Sequence, residues 1–353
     1  MRPTVETLAD FGLTPMAASK VAQRASSFSS AGVNARLAQL RFGVDSSIIT
    51  SDEARTLVTE QPDFLQLDFR TAFEDNALVA VAKPWDARLK LDKVGERWDG
   101  ELTLVKYLED MHSEVLTDEG EVRLCHQLDF ATSGLIVSAK SRVAADAVAR
   151  CFREREARKL YAALVFGHPS WDRARWEERI MPSKRKFKQR ISGGGKTAVT
   201  DVTVGARGVL RLGTEHEGRE ASLLWLEPRT GRRHQLVRDK PEACFRYACS
   251  HAHTEPVRLR FSSRNPAHQR LHCAHHGHGI VGDMTYADDR LAYRTFLHAA
   301  ALELPLRLGG KDASPELLQL EAPLSPISWA HAFDPTEPIR NPEGWPSAVE
   351  ELM

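Results

Sequence analysis

The alternation of apolar and polar positions changes character several times along this chain. Leu78 to Ala82 form a β-prone apolar core that stops at Pro84, which predicts a strand. Leu135-Ile136-Val137, directly after Gly134, predict a second. Val143, Ala144, Ala147, Val148, Cys151 and Phe152 then recur at helical spacing behind Ser141, predicting an amphipathic helix capped by that serine. LYAALVFG (160–167) reads as the next strand, with further strands at 199–205, 221–227 and 297–304. Residues 1–70 differ. RLAQLRFG and SDEARTLVTEQPDFLQLD predict short helices, the second opening at a Ser51-Asp52-Glu53 cap, so a helical N-terminal extension is expected there. Residues 334–353 carry Pro335, Pro338, Pro342 and Pro346 and are expected to form a loose tail.

Composition narrows this picture only a little. With 353 residues, 42% of them hydrophobic, the chain can bury one large core. Its 48 Lys+Arg balance 48 Asp+Glu, so net charge points to no partner, but the distribution does. From Arg179 to Thr200 there are seven Lys or Arg and no acid, and Arg229, Arg232 and Arg233 form a second basic cluster. Charge runs are usually solvated faces, but two flanking one site would suit a phosphate backbone. Five scattered cysteines without a CxxC pair argue for a reducing compartment. No apolar run approaches a membrane span. Phe11 to Val44 lacks acids and is rich in Ala, Ser and Arg, like an organelle transit peptide, although Glu6 and Asp10 precede it. The compartment is left open between cytoplasm and organelle (mitochondrion or plastid).

The candidate chemistry centres on LCHQLDFATSGLIVSAK (124–140). Asp129 stands alone among small polar residues at the mouth of the Leu135–Val137 strand, where scaffolds often present a reactive group. A turn aspartate capping local amides is the commoner role, and only the surrounding motifs overturn it. Several look-alikes fail. GGGKT (193–197) lacks the first glycine of a phosphate loop, since position 190 is Arg190, and reads as a basic hairpin. The histidines and cysteines between 244 and 278 fit no zinc spacing, so no metal is expected. Glu74 and Asp75 could partner Asp129 as in a glycosidase, but adjacent acids before a strand are more often a solvated turn.

FEDNALVAVAKPWD, CHQLDFATSG, KLYAALVFGH, EPRTGRRHQL, RLHCAHHGHGIVGDMTYA and FLHAAALELP follow in an order that resembles the RluA-type RNA pseudouridine synthases, over roughly residues 71–308. KPWDARL and CHQLDFATSG are most like the subgroup of RNA pseudouridylate synthase domain-containing protein 1. The resemblance implies an α+β fold: a mixed, largely antiparallel central sheet with flanking helices, the catalytic domain occupying 71–333. It implies isomerisation of uridine to pseudouridine in a tRNA, rRNA or mRNA, without a cofactor, by a protein expected to be a monomer. Asp129 is then the catalytic carboxylate, and Tyr161 packs against the extruded base and assists removal of the C5 proton. Gln127, Thr132, Arg229, Arg232, Lys184, Arg185 and Lys186 become candidate substrate contacts. Gln127 departs from the arginine usual in the family and matches the subgroup. A catalytically impaired RNA-binding protein keeping the fold is the alternative, and a nucleoside hydrolase a weaker third reading.

One block is interrupted. In the family the HQL run continues directly into Arg-x-His, whereas here GRRHQL ends at Leu236 and RLH resumes at Arg270. The intervening 33 residues, Val237 to Gln269, correspond to 99 in-frame nucleotides. Valine codons begin GT and one glutamine codon is CAG, which are the edges of a spliceosomal intron. The segment is therefore read as a retained intron or an insertion, and Arg270, rather than Arg238, as the arginine that ion-pairs Asp129.

Overall fold

The computed structural model describes residues 69–85, 87–90, 103–118, 120–183, 188–212, 215–230, 265–292, 294–309, 314–322, 329 and 332–345. The expected N-terminal helices lie outside them, save that Phe69 is buried and Arg70 already opens a strand. Most of 237–269 also lies outside.

The strands are β1 (Arg70–Glu74), β2 (Leu78–Lys83), β3 (Ser133–Ala139), β4 (Arg158–Phe166), β5 (Arg173–Pro182), β6 (Gln189–Ile191), β7 (Lys196–Leu210), β8 (Glu220–Pro228), β9 (Leu297–Leu306), β10 (Glu316–Glu321) and β11 (Phe333–Pro335). The helices are α1 (Leu104–Met111), α2 (Arg142–Glu154) and α3 (Asn265–His275). Among the described residues the strands form one sheet in the order β1-β2-β3-β9-β4-β8-β7-β5-β6, with β10 on β9 and β11 on β7. Every pairing is antiparallel except β3 with β9, so the sheet is mixed and largely antiparallel, as expected.

Sequence pattern explains which strands are central. Alternate residues of β4 enter two separate core clusters: Leu160, Ala162 and Leu164 in one, Tyr161, Ala163 and Val165 in the other. A strand covered on both faces must be apolar throughout, which is why LYAALVF has no polar period. Helix α2 begins as its sequence requires, with the Ser141 hydroxyl accepting from the Ala144 amide at 3.2 Å. Its buried face is Ala144, Ala147, Val148 and Cys151. Val143, expected on that face, is 61% exposed because the stripe starts one residue later. The expected loose tail is packed as far as it is described. β11 pairs with β7, Trp345 is buried, and the Trp225 indole donates to the Arg340 carbonyl at 2.9 Å.

The β3/β9 contact positions the site. Only Ser133↔His298 and Gly134↔Ala299 pair before the strands part, and β10 takes over the edge of β9 from Ala301 onward. The edge of β3 left open is covered by the chain just before Asp129: the Cys125 amide donates to the Val137 carbonyl at 2.8 Å, and the Ala139 amide to the Arg123 carbonyl at 3.0 Å. Residues 127–132 form the reversal joining that strip to β3. Gly134 makes the close approach possible. Its φ is +109°, and a Cβ there would lie 2.2 Å from the Ala299 carbonyl oxygen.

Candidate active site

Asp129 stands at the tip of this reversal with its side chain 25% exposed. One carboxylate oxygen accepts the Thr132 amide at 2.8 Å, and the other accepts Arg270 Nη1 at 2.9 Å. The capping role foreseen for a turn aspartate is thus real, and the same carboxylate also holds a cation.

Arg270 is presented by α3 and is itself gripped from behind. Its Nε and Nη2 donate to the two carboxylate oxygens of Asp283 at 2.8 and 2.5 Å. Asp283 is fully buried and also accepts the amides of Thr285 at 2.8 Å and Tyr286 at 3.2 Å. Burial opposes the charge on Arg270. The hydrogen bonds to Asp283 and the attraction of both carboxylates outweigh it and hold the guanidinium above its ordinary pKa. The outcome is a cation fixed by a bidentate fork, with one remaining arm aimed at Asp129. Asp283 ends the RLHCAHHGHGIVGD block, and nothing in the local sequence marks it as the partner of Arg270. Locally it is an acid following Gly282, whose φ is +76°.

Tyr161, from β4, is 4% exposed. Burial, and then the Asp129 charge, push its hydroxyl above the ordinary tyrosine range, so it remains a neutral phenol. Thr132, expected to contact substrate, is instead fully buried with its hydroxyl unpartnered, and its amide is the group that serves Asp129. Gln127 is half-buried two residues before Asp129. Arg229 is already engaged by two carboxylates, Asp201 at 2.6 Å and Glu227 at 2.6 Å. Lys184, Arg185, Lys186 and Arg232 lie outside the described residues. The chain resumes at Lys188 against the Asp283 loop, with Lys188 Nζ donating to the Thr285 carbonyl at 2.8 Å and the Gln189 amide to the Tyr286 hydroxyl at 2.9 Å.

Two supports escaped sequence reading. Lys83 is buried, and its Nζ donates to the carbonyls of Pro84, Ala87 and Phe130 at 2.9, 3.0 and 3.0 Å, tying the KPWDA loop to the residue after Asp129. Beneath Ser133, the hydroxyl contacts His298 Nδ1 at 2.8 Å and Arg294 Nη2 at 2.5 Å. The histidines of the RLHCAHHGHGIVGD block are similarly employed: His272 Nδ1 lies 3.1 Å from the Thr200 hydroxyl, and His276 pairs with Glu178 at 2.8 Å. Glu74 pairs with Lys140 and Asp75 caps the amides of Ala77 and Leu78, so neither pairs with Asp129 as a second acid.

A turn carboxylate clamped by a buried arginine, on a mixed sheet with a buried tyrosine nearby, defines a class that agrees with the comparisons. The family model for "RNA pseudouridylate synthase" matches residues 77–238. RNA pseudouridylate synthase domain-containing protein 1 of Danio rerio is 30% identical over 248 residues, 66% of this chain and 69% of that one. The human protein of that name is 30% identical over 66% of this chain and 65% of its own length, so this chain spans about two thirds of these relatives. Dual-specificity RNA pseudouridine synthase RluA of Escherichia coli K12 is 28% identical over 66% of this chain and 84% of its own. The solved structure of human RNA Pseudouridylate Synthase Domain Containing 1 shares the fold, with a TM-score of 0.56 at 24% identity over 81% of this chain and 94% of that one. The chain belongs to the RNA pseudouridine synthase family, a family of isomerases acting on RNA. Among the described residues no helix is long and apolar enough to cross a membrane.

Proposed function

We propose that this protein isomerises specific uridines in RNA to pseudouridine with Asp129 as nucleophile. In that reaction the N1–C1′ bond breaks, the freed ring turns, and C5 bonds to C1′. C5 gives up its proton and N1 gains one, so the product is an isomer. A carboxylate serves such chemistry only if it is ionised, oriented and reachable. The observation that carries the reading is the double hold on Asp129, by the Thr132 amide and by the Asp283-anchored Arg270, with the carboxylate still part-exposed. The uridine must leave its stack to reach it. Tyr161 then packs against the extruded base as a neutral ring, and the raised pKa of its hydroxyl makes a free phenolate base the weaker assignment. Lys184, Arg185, Lys186 and Arg232 contact phosphates, with Gln127 beside the flipped nucleotide. Arg229 contributes less, its charge being compensated by Asp201 and Glu227. Asp129→Asn should abolish pseudouridine formation and leave RNA binding largely intact. An active Asp129→Asn protein would refute the assignment. Because Asp129, Tyr161 and Arg270 are all present, the non-catalytic alternative is not favoured.

We further propose that Val237 to Gln269 are encoded by a retained intron and are absent from the working protein. The family model's match stops at residue 238, where the segment starts. At its far end, Gln269 is completely buried, yet neither atom of its amide has a hydrogen-bond partner. Joining Leu236 to Arg270 would put leucine in that position, and an apolar side chain suits it. Sequencing the spliced transcript tests this. A message that always keeps the 99 nucleotides favours instead a genuine insertion that reaches over the RNA.

A further inference from the structure

Phe130 is the only exposed Phe, Tyr or Trp among the described residues, 41% exposed and directly after Asp129. A lone exposed apolar side chain needs no explanation by itself. Three observations set this one apart. Its carbonyl is fixed by buried Lys83 at 3.0 Å, so the ring is carried on an anchored backbone. The Arg88 guanidinium lies over the ring, 5.4 Å from its centroid, giving a two-layer stack of aromatic and cation. Met284, which directly follows Asp283, is also exposed, at 51%. The two acids that grip Arg270 are thus each followed by an exposed apolar side chain.

We propose that Phe130, backed by Arg88, is the wedge that occupies the gap left in the RNA stack when the target uridine is extruded toward Asp129. The inference rests on the proposed pseudouridine chemistry and adds a residue that determines which uridines can be opened. Extruding a base forfeits its stacking on both neighbours, and an aromatic face inserted beside them restores part of it whatever their identity. The wedge therefore matters in proportion to how well the uridine is stacked before binding. A uridine in an unstructured strand has little stacking to lose.

The test uses the full chain and RNA from cells deleted for the gene. Uridines that the wild-type protein converts in that RNA are mapped, and one is placed both in a stem–loop and in an unpaired oligonucleotide. Phe130→Ala should lower kcat/KM on the stem–loop by roughly 5- to 150-fold, the range for one base–aromatic stack, and change the unpaired substrate far less. Phe130→Trp should stay close to wild type on both. A second readout does not need turnover: 2-aminopurine beside a uridine of the stem–loop should brighten on binding Asp129→Asn and fail to brighten with the Asp129→Asn/Phe130→Ala protein. Equal losses on both substrates, or brightening that survives without Phe130, would overturn the wedge. If Asp129→Asn still makes pseudouridine, the nucleophile assignment fails while the fluorescence still decides whether Phe130 opens the stack.

Discussion

Replacing Gln269 by leucine should stabilise the full-length chain, contrary to the usual effect of changing a buried residue. Gln269 sits in α3 next to the arginine that holds Asp129. Its side chain is fully enclosed, and neither Nε2 nor Oε1 finds a partner. A buried polar group left unsatisfied costs about 1–3 kcal/mol, so the two atoms together cost about 2–6 kcal/mol. Leucine removes both and keeps most of the volume, so little cavity or overpacking penalty offsets the gain. An expected net gain of about 2–4 kcal/mol translates to a Tm rise on the order of 5–10 °C for a chain of this size. Alanine is the control: it also removes the amide but leaves a cavity costing about 2 kcal/mol or more, so Gln269→Ala should gain little. Thermal unfolding followed by circular dichroism reads all three. An unchanged or lowered Tm for Gln269→Leu would show that the amide is satisfied and would remove the main physical support for the Leu236–Arg270 join.

Other perturbations test separate parts of the site. Asp283→Asn leaves Arg270 buried with half its compensation, which should cost about 3–5 kcal/mol and reduce pseudouridine formation; wild-type Tm with wild-type activity would refute the anchor. Gly134→Ala drives a Cβ to 2.2 Å from the Ala299 carbonyl at a φ of +109°, so it should part β3 from β9 and lower both stability and activity, whereas a fully active alanine protein would show the approach to be dispensable. His298 is buried, and burial lowers its pKa to about 3, so it is neutral in the fold. Because that pKa is depressed below the ordinary 6.5, its stabilising contribution is complete above pH 6.5 and is lost as pH falls toward 3, at up to about 1.4 kcal/mol per pH unit. Denaturation midpoints measured across that window should fall, and a flat profile would contradict a neutral buried imidazole.

Much of the frame was legible because it is written in short-range patterns. The apolar cores at 78–82, 160–167, 221–227 and 297–304 all emerged as strands, since a strand buried on both faces advertises itself by lacking polar positions. β1 and β5 escaped because each is partly exposed and mixed in polarity: RTAFE exposes Thr71, Ala72 and Glu74, and RARWEERIMP carries charge at four of its five exposed positions. Their strand character comes from pairing with β2 and β7, which no local window contains. Asp129, Arg270 and the ion pair between them were legible through ordered motifs, yet the acid that anchors Arg270 was not. Asp283 reads locally as a turn acid, and its hold on Arg270 depends on α3 and the following loop folding back on each other. Thr132 misled in the opposite sense: a threonine near the proposed nucleophile invites a hydroxyl role, while the fold uses its amide.

The location of the site follows from the one parallel pairing among the described strands, β3 with β9. Antiparallel neighbours can run side by side indefinitely, but β3 and β9 share just two residue pairs before diverging. At that fork the backbone before β3 must reverse, and its polar groups need partners that the ladder no longer supplies. Asp129 satisfies one, the Thr132 amide, which leaves its second oxygen directed outward. An outward carboxylate at a sheet fork attracts a cation, and α3 supplies Arg270 with two of its nitrogens already committed to Asp283. The division of labour explains why Asp283 rather than Asp129 is the fully buried acid. The acid that fixes the arginine is enclosed with it, while Asp129, the proposed nucleophile, keeps a quarter of its side chain open. Shifting that balance should be visible as chemistry separated from folding. Arg270→Lys retains a cation but cannot fork to Asp283 while also reaching Asp129, so it should lose most turnover even in protein that remains folded, and full activity in that variant would show that charge alone suffices.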